Sequence, residues 1–219
     1  MVGPPGSGKS SVSRMLADSL QLDVFRSGDV LRSIAARSQR TPFEDAVKWH
    51  MDRSLAMPIA VYQQMIRQEL IREHARGVVF DGFPRTAEQS RAVMDTLQAV
   101  AMQDASVTVV VLYAAKHVLY RRIAGRAVCE TCRTLREPGR RCCSDPRWRR
   151  RADDAIEVFT VRYDEYTRTL QSIVDGLCDR WPCHYIDASS ALNEVASKAV
   201  HFVQKGIVTP VRGYGSESI

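Results

Sequence analysis

Gly3-Pro4-Pro5-Gly6-Ser7-Gly8-Lys9-Ser10, with Ser11 behind it, has the form G-x-x-x-x-G-K-S. This pattern makes a phosphate-cradling loop. Its glycines let successive backbone N–H groups converge on a polyphosphate. Lys9 is placed to neutralise β/γ oxygens, and the Ser10 hydroxyl is placed to ligate Mg²⁺. Helical residues follow from Ser11 to Leu20, so the positive end of a helix faces the anion. The complete spacing separates it from an incidental glycine-rich turn. Such a loop should follow a buried strand, yet only Met1 and Val2 precede it. The first strand is therefore expected to be truncated, the chain to be incomplete at its start, and this version of it to fold poorly.

The rest of the chain suits one α/β domain with small inserts: 219 residues, 45% of them hydrophobic. Neither a signal peptide nor an apolar run of membrane-spanning length is found, and a cytoplasmic protein is expected. Its six cysteines should then be reduced thiols or metal ligands. The net charge of +6 suits an anionic substrate and would also suit nucleic acid. Much of it sits at Arg133, Arg136, Arg140, Arg141, Arg147, Arg149, Arg150 and Arg151.

Strands and helices alternate, which predicts a parallel sheet covered by helices. Ser106 to Tyr113 (S-V-T-V-V-V-L-Y) is the clearest strand, largely apolar and rich in β-branched residues, and so expected to be buried on both faces. Shorter strands are expected at Val24–Arg26, Gly77–Phe80 and His184–Asp187. Between Ala127 and Ala152 periodicity fails, and Cys, Arg, Pro and Gly take over. The Gly/Ser-rich tail after Gly206 is expected to fray.

Val78-Val79-Phe80 is an apolar run ending in Asp81. Ligands in such sheets lie at the C-terminal strand ends, so Asp81 should stand near Ser10 and hold Mg²⁺ through water. Gly82 and Pro84 fix a tight turn from which Arg85 emerges. A surface salt bridge is the plainer role for Arg85, and the flanking residues argue against it.

Taken together, these motifs resemble the adenylate kinases, within the nucleoside monophosphate kinases. The resemblance covers about Gly3 to Val195. It rests on G-P-P-G-S-G-K-S, on S-G-D-V-L-R (Ser27–Arg32), on D-G-F-P-R-T-A-E-Q (Asp81–Gln89) and on R-I-A-G-R (Arg122–Arg126). A lid opening with C-x-x-C, R-R-A-D-D (Arg150–Asp154) and Arg162 complete it. It implies a P-loop three-layer α/β sandwich around a parallel five-stranded core sheet with two mobile inserts. Residues 1–27, 58–126 and 153–205 would form the core, 28–57 the insert over the monophosphate, 127–152 the lid over the triphosphate, and 206–219 a flexible tail.

The resemblance also implies roles. Gly3, Pro4, Pro5, Gly6, Ser7, Gly8, Lys9, Ser10 and Ser11 would hold ATP, with Arg122 and Arg126 near its triphosphate and base. Arg32 and Arg85 would clamp the AMP phosphate. Ser27, Ala56, Met57, Gly82 and Gln89 would form the acceptor pocket. Arg151 and Arg162 would neutralise the transferring group, and Asp153 or Asp154 would fix lid arginines on closure. Lys9, Asp81, Arg85, Arg122, Arg151 and Arg162 form the expected catalytic set. Phosphoryl transfer needs little beyond alignment and positive charge around the equatorial oxygens. The reaction implied is reversible transfer from ATP to AMP, giving two ADP, by a monomer without nucleic-acid or membrane partners.

Cys129, Cys132, Cys142 and Asp145 could form a tetrahedral zinc site, with Cys143 as a rival ligand. Some adenylate kinases have such a lid. A metal-free lid with incidental thiols is the alternative. Cys178 and Cys183 are expected to be buried thiols. Two other functions would share features of this chain. A UMP/CMP kinase would share nearly every phosphate contact, but such enzymes usually have a short lid without cysteines and commonly an Ala where Ser27 stands. A zinc-ribbon nucleic-acid binder would use Trp148 and Arg147–Arg151, and would leave Asp81–Thr86 and Ser27–Arg32 unexplained.

Overall fold

A computed structural model describes residues 1–53, 55–72, 76–99, 106–132, 136, 142–150 and 154–205. The elements run α1 (Lys9–Leu20), β1 (Asp23–Phe25), α2 (Ser27–Ala35), α3 (Pro42–Asp52), α4 (Ile59–Ile71), β2 (Val78–Phe80) and α5 (Ala87–Ala99). Then come β3 (Val109–Tyr113), α6 (Lys116–Ala124), β4 (Val128–Cys129), β5 (Trp148–Arg149), α7 (Ile156–Cys178), β6 (Cys183–Asp187) and α8 (Leu192–Lys205).

β1 pairs in parallel with β2, from Asp23↔Val78 to Phe25↔Phe80. β3 pairs in parallel with β6, from Val109↔Cys183 to Tyr113↔Asp187. Met1 and Val2 lie between the two pairs. The Met1 nitrogen donates to Phe80 O (3.0 Å) on one side. On the other, Val2 N–H donates to Val110 O (2.8 Å) and Leu112 N–H to Val2 O (2.8 Å). Among the described residues the expected five-stranded sheet is not formed as such: β1–β2 and β3–β6 are two separate parallel pairs, and Val2 makes a single parallel bridge to Val111.

The pleat of β3 explains the layers. Val110 and Leu112 point to one face, with Ile186 of β6, and pack on Val12 and Leu16 of α1 and Val195 and Ala199 of α8. Val109 and Val111 point to the other face, with Val2 and Cys183, against Ile173, Val174 and Leu177 of α7. A strand covered on both faces reads as a continuous apolar run. Each fully buried aliphatic side chain here contributes about 1.5–3 kcal/mol.

The segment after β1 makes its own small core. Phe25, Ile34 of α2, Val47 of α3, and Val61 and Met65 of α4 are buried together. Thr41 starts α3 with a capping box: its hydroxyl accepts from Glu44 N–H, and the Glu44 carboxylate accepts from Thr41 N–H. The turn after α7 overturns one expectation. Cys178 and Cys183 are not buried thiols; their sulfurs are bonded to each other. The short turn between α7 and β6 brings their Cα atoms to 5.4 Å, within the usual range for a disulfide.

Candidate active site

The phosphate loop is built by close approach. Gly6 has φ +83°, and a Cβ there would lie 2.6 Å from the Leu119 carbonyl oxygen, so only glycine fits. Ser7 N–H donates to Pro4 O (3.2 Å), closing the turn. The Lys9 ammonium donates to Gly3 O and Pro4 O, both at 2.7 Å, and spans its own loop. No side chain caps the N-terminus of α1, whose first residues line the cleft. An uncapped helix start beside a nested loop is an anion site. Burial, then repulsion from Arg85, brings the Lys9 pKa down from 10.5 to about 7. Asp81 opposes this shift, while Arg162 and Arg126 push the same way as Arg85.

Asp81 to Arg85 forms the opposite edge. Asp81 N–H donates to Phe25 O (2.9 Å), which ties the end of β2 to β1. The Asp81 side chain is only 3% exposed, and its Oδ2 accepts from Arg26 Nε at 2.7 Å. The Phe83–Pro84 peptide is cis. Arg85 folds back so that Nε donates to Gly82 O (2.7 Å), while its backbone N–H donates to Gln89 Oε1 (2.8 Å). Gln89 N–H in turn donates to Thr86 Oγ1 (3.1 Å).

Between these edges lies a cleft of about 640 Å³. Gly3, Pro5, Gly6, Ser7, Gly8, Lys9, Ser10 and Ser11 line it, as do Gly82, Arg85, Gln89, Arg122, Arg126 and Arg162. The structure thus brings the loop together with Arg85, Arg122, Arg126 and Arg162. Other expected residues stand apart from the lining. Pro4 and Ser27 are buried, Ala56 is exposed, and Met57 packs against the α2–α4 core. Arg32 is exposed and donates to Asp29. Asp81 is the sharpest departure, because its carboxylate is held by Arg26 rather than presented to the cleft. Arg151 and Asp153 lie outside the described residues, as do Arg133, Arg140, Arg141 and the tail after residue 205.

Two hydrogen bonds join Arg126 to Asp154: Nε to Oδ2 at 3.0 Å, and Nη2 to Oδ1. Asp154 thus engages Arg126, while Asp153, the other candidate, lies outside the described residues. Arg122 Nη2 reaches Ser190 O at 3.4 Å. Sequence reasoning missed Glu165, Tyr166 and Thr169, which line the cleft from α7. The available signal was helical spacing, since they follow Arg162 at i+3, i+4 and i+7. Arg26 was missed too, although it directly precedes the Ser27–Arg32 motif.

The lid cysteines correct another expectation. Cys129, Cys132, Cys142 and Cys143 gather their sulfurs within 4.8 Å of one another. Asp145 is not among them. The bend at Ser144–Asp145 turns its carboxylate outward, where Oδ2 accepts from Arg147 Nε at 3.3 Å. Cys143 takes the fourth corner. Its sulfur lies 3.6 Å from that of Cys129 and 3.7 Å from that of Cys142. A tetrahedral zinc with sulfurs at about 2.3 Å has edges of roughly 3.8 Å, so the set fits this metal. Cys129 is already poised as a thiolate: the Cys132 backbone N–H, among other donors, holds its pKa down to about 6.

Comparison with known proteins agrees with this geometry. The family model described as adenylate kinase matches residues 1–180. An adenylate kinase of Chlamydia felis (strain Fe/C-56) is 31% identical over 200 residues, covering 89% of this chain and 92% of the relative. One of Paracoccus denitrificans (strain Pd 1222) is 31% identical over 217 residues, covering 94% and 96%. One of Pyrococcus horikoshii is 29% identical over 202 residues, covering 88% and 89%. No described helix is long and apolar enough to cross a membrane. With its phosphate loop, its cleft of converging arginines and these relatives, the chain belongs to the adenylate kinase family of P-loop phosphotransferases.

Proposed function

We infer that this protein catalyses reversible transfer of the γ-phosphoryl group of ATP to an α-phosphate oxygen of AMP, giving two ADP. The observation that carries this is the meeting of the phosphate loop with Arg85 and Gln89 across one cleft. A donor cradle and an acceptor clamp on facing edges suit in-line transfer between two phosphates. The acceptor oxygen is already anionic, so no general base is required. Lys9, Arg122, Arg126 and Arg162 offset the charge of the phosphates, while Arg85 aligns the acceptor.

Mg²⁺ would arrive with the nucleotide. The Ser10 hydroxyl in the cleft would supply one hard oxygen donor, and the Asp81 carboxylate a second once it turns from Arg26; the metal would polarise the transferring phosphate. Zinc on Cys129, Cys132, Cys142 and Cys143 would staple a lid too small to hold a core of its own. Residues 28–57 and 127–152 act in this reading as covers that exclude water.

An acceptor panel of AMP, GMP, CMP and UMP with ATP-Mg²⁺ tests the assignment. AMP should be preferred. Faster turnover with UMP would replace the acceptor assignment with a pyrimidine nucleotide.

A further inference from the structure

Arg26 has no part in the reading above, yet it makes the most direct contact with a residue that does. It stands at the end of β1, immediately before α2. Its Nε donates to Asp81 Oδ2 at 2.7 Å, and its Nη1 lies 3.9 Å from Asp29 Oδ2. The two partners differ in setting. The Asp81 side chain is 3% exposed, whereas that of Arg26 is 36% exposed. The guanidinium thus reaches from the solvent edge onto a buried carboxylate. That carboxylate is not among the residues lining the cleft, while its neighbour Gly82 and the loop residues Lys9 and Ser10 are.

A buried carboxylate needs a compensating cation. In the ligand-free protein Arg26 supplies one. The single negative charge of Asp81 is then already engaged when the nucleotide brings its metal. Two cations sharing one carboxylate repel, most strongly where water is excluded.

We propose that Arg26 is a positioning residue that withholds Asp81 from Mg²⁺, so that the metal competes with a guanidinium for this carboxylate. The inference rests on Asp81 being the metal-holding carboxylate. Its consequence has a definite sign. Removing the charge of Arg26 strengthens the contribution of Mg²⁺ to nucleotide affinity. If Arg26 merely oriented Asp81, its removal would weaken that contribution.

The test is calorimetric titration of a non-hydrolysable ATP analogue with and without Mg²⁺. The readout is the ratio of the two affinities, with no turnover involved. Arg26→Gln, which keeps a donor and loses the charge, should raise the Mg²⁺ enhancement roughly tenfold. Arg26→Lys, which keeps the charge on a shorter reach, should raise it by less, and it carries the test alone if Arg26→Gln does not fold. Adding Asp81→Asn to either variant should abolish the increase. An unchanged or smaller enhancement in both Arg26 variants, with Asp81→Asn alone still lowering it, overturns the proposal and leaves Asp81 as the metal residue. If Asp81→Asn alone changes nothing, the metal assignment of Asp81 falls, and the proposal falls with it.

Discussion

The Lys9 ammonium sits 2.7 Å from the carbonyl oxygen of Gly3, the residue that opens its own loop. Carbonyl oxygens offer it dipoles but no counter-charge. Burial and the nearby arginines therefore hold its pKa at about 7 in the ligand-free protein. A polyphosphate supplies the missing charge and should restore full protonation. Binding of ADP at pH 8 is then expected to take up close to one proton, measured by calorimetry in buffers of different ionisation enthalpy. Lys9→Met should abolish the uptake and lower turnover on the order of 10²-fold or more. No uptake by the unmodified protein would refute the argument.

The same group makes stability depend on pH. The unfolded chain holds the Lys9 proton up to about 10.5, and the folded protein only to about 7. Between these values the unfolded state binds more protons, so the contribution of Lys9 to stability rises with pH across the window. Below it the penalty of the buried charge is fully present. Melting curves of the ligand-free protein should show Lys9→Met gaining most, relative to the parent, near pH 7 and below. Equal gains at pH 7 and pH 10.5 would contradict this.

Arg85→Ala should weaken AMP binding and also slow turnover. The guanidinium is held by Gly82 O, and its backbone by Gln89. It is therefore presented to the cleft in one orientation before the acceptor arrives. A fork fixed in this way both binds and aligns a phosphate. Arg85→Lys should rescue poorly, because a point charge cannot reproduce two parallel hydrogen bonds. Full activity of Arg85→Ala at low AMP would place the acceptor elsewhere.

Features set by local chemistry were legible in the sequence. The glycine spacing of residues 3–8 announced the loop, and the apolar run to Tyr113 announced a strand buried on both faces. Charge pairing across the fold was not legible. Nothing in the sequence says that Arg26 reaches Asp81, because their contact depends on β1 and β2 lying side by side. The choice between Asp145 and its rival Cys143 for the fourth place beside the thiols was not legible for a similar reason. The sequence offered Asp145 first and Cys143 as its rival, but the bend at Ser144–Asp145 turns that carboxylate away and leaves Cys143 facing the other thiols. The bond between Cys178 and Cys183 depends on the turn between α7 and β6, which spacing alone did not reveal.

The thiol cluster predicts one zinc per chain, held by four sulfurs. Cys129→Ser and Cys143→Ser should each lose the metal and lower the melting temperature, while the phosphate loop still binds ATP. Asp145→Asn should keep the metal, since its carboxylate serves Arg147 instead. Elemental analysis of protein purified without chelators decides the matter. Metal loss in Asp145→Asn, with retention in Cys143→Ser, would restore the carboxylate to the site.

Asp154 and Arg126 give the last prediction. The Asp154 side chain is 1% exposed, and both its oxygens accept from Arg126, whose side chain is 24% exposed. Arg126 also lines the cleft and is one of the charges that depress Lys9. Without nucleotide, Asp154 is what keeps this arginine compensated. Asp154→Asn preserves shape and one acceptor but removes the charge. It should cost about 1–3 kcal/mol in the ligand-free protein, the usual range for an incompletely satisfied buried polar group. Bound nucleotide offers Arg126 an alternative anion, so the loss should shrink when ATP is present. The difference in melting temperature between parent and variant should therefore be larger without ATP than with it. An equal loss in both states would mean that Arg126 never leaves Asp154, and its place at the triphosphate would have to be given up.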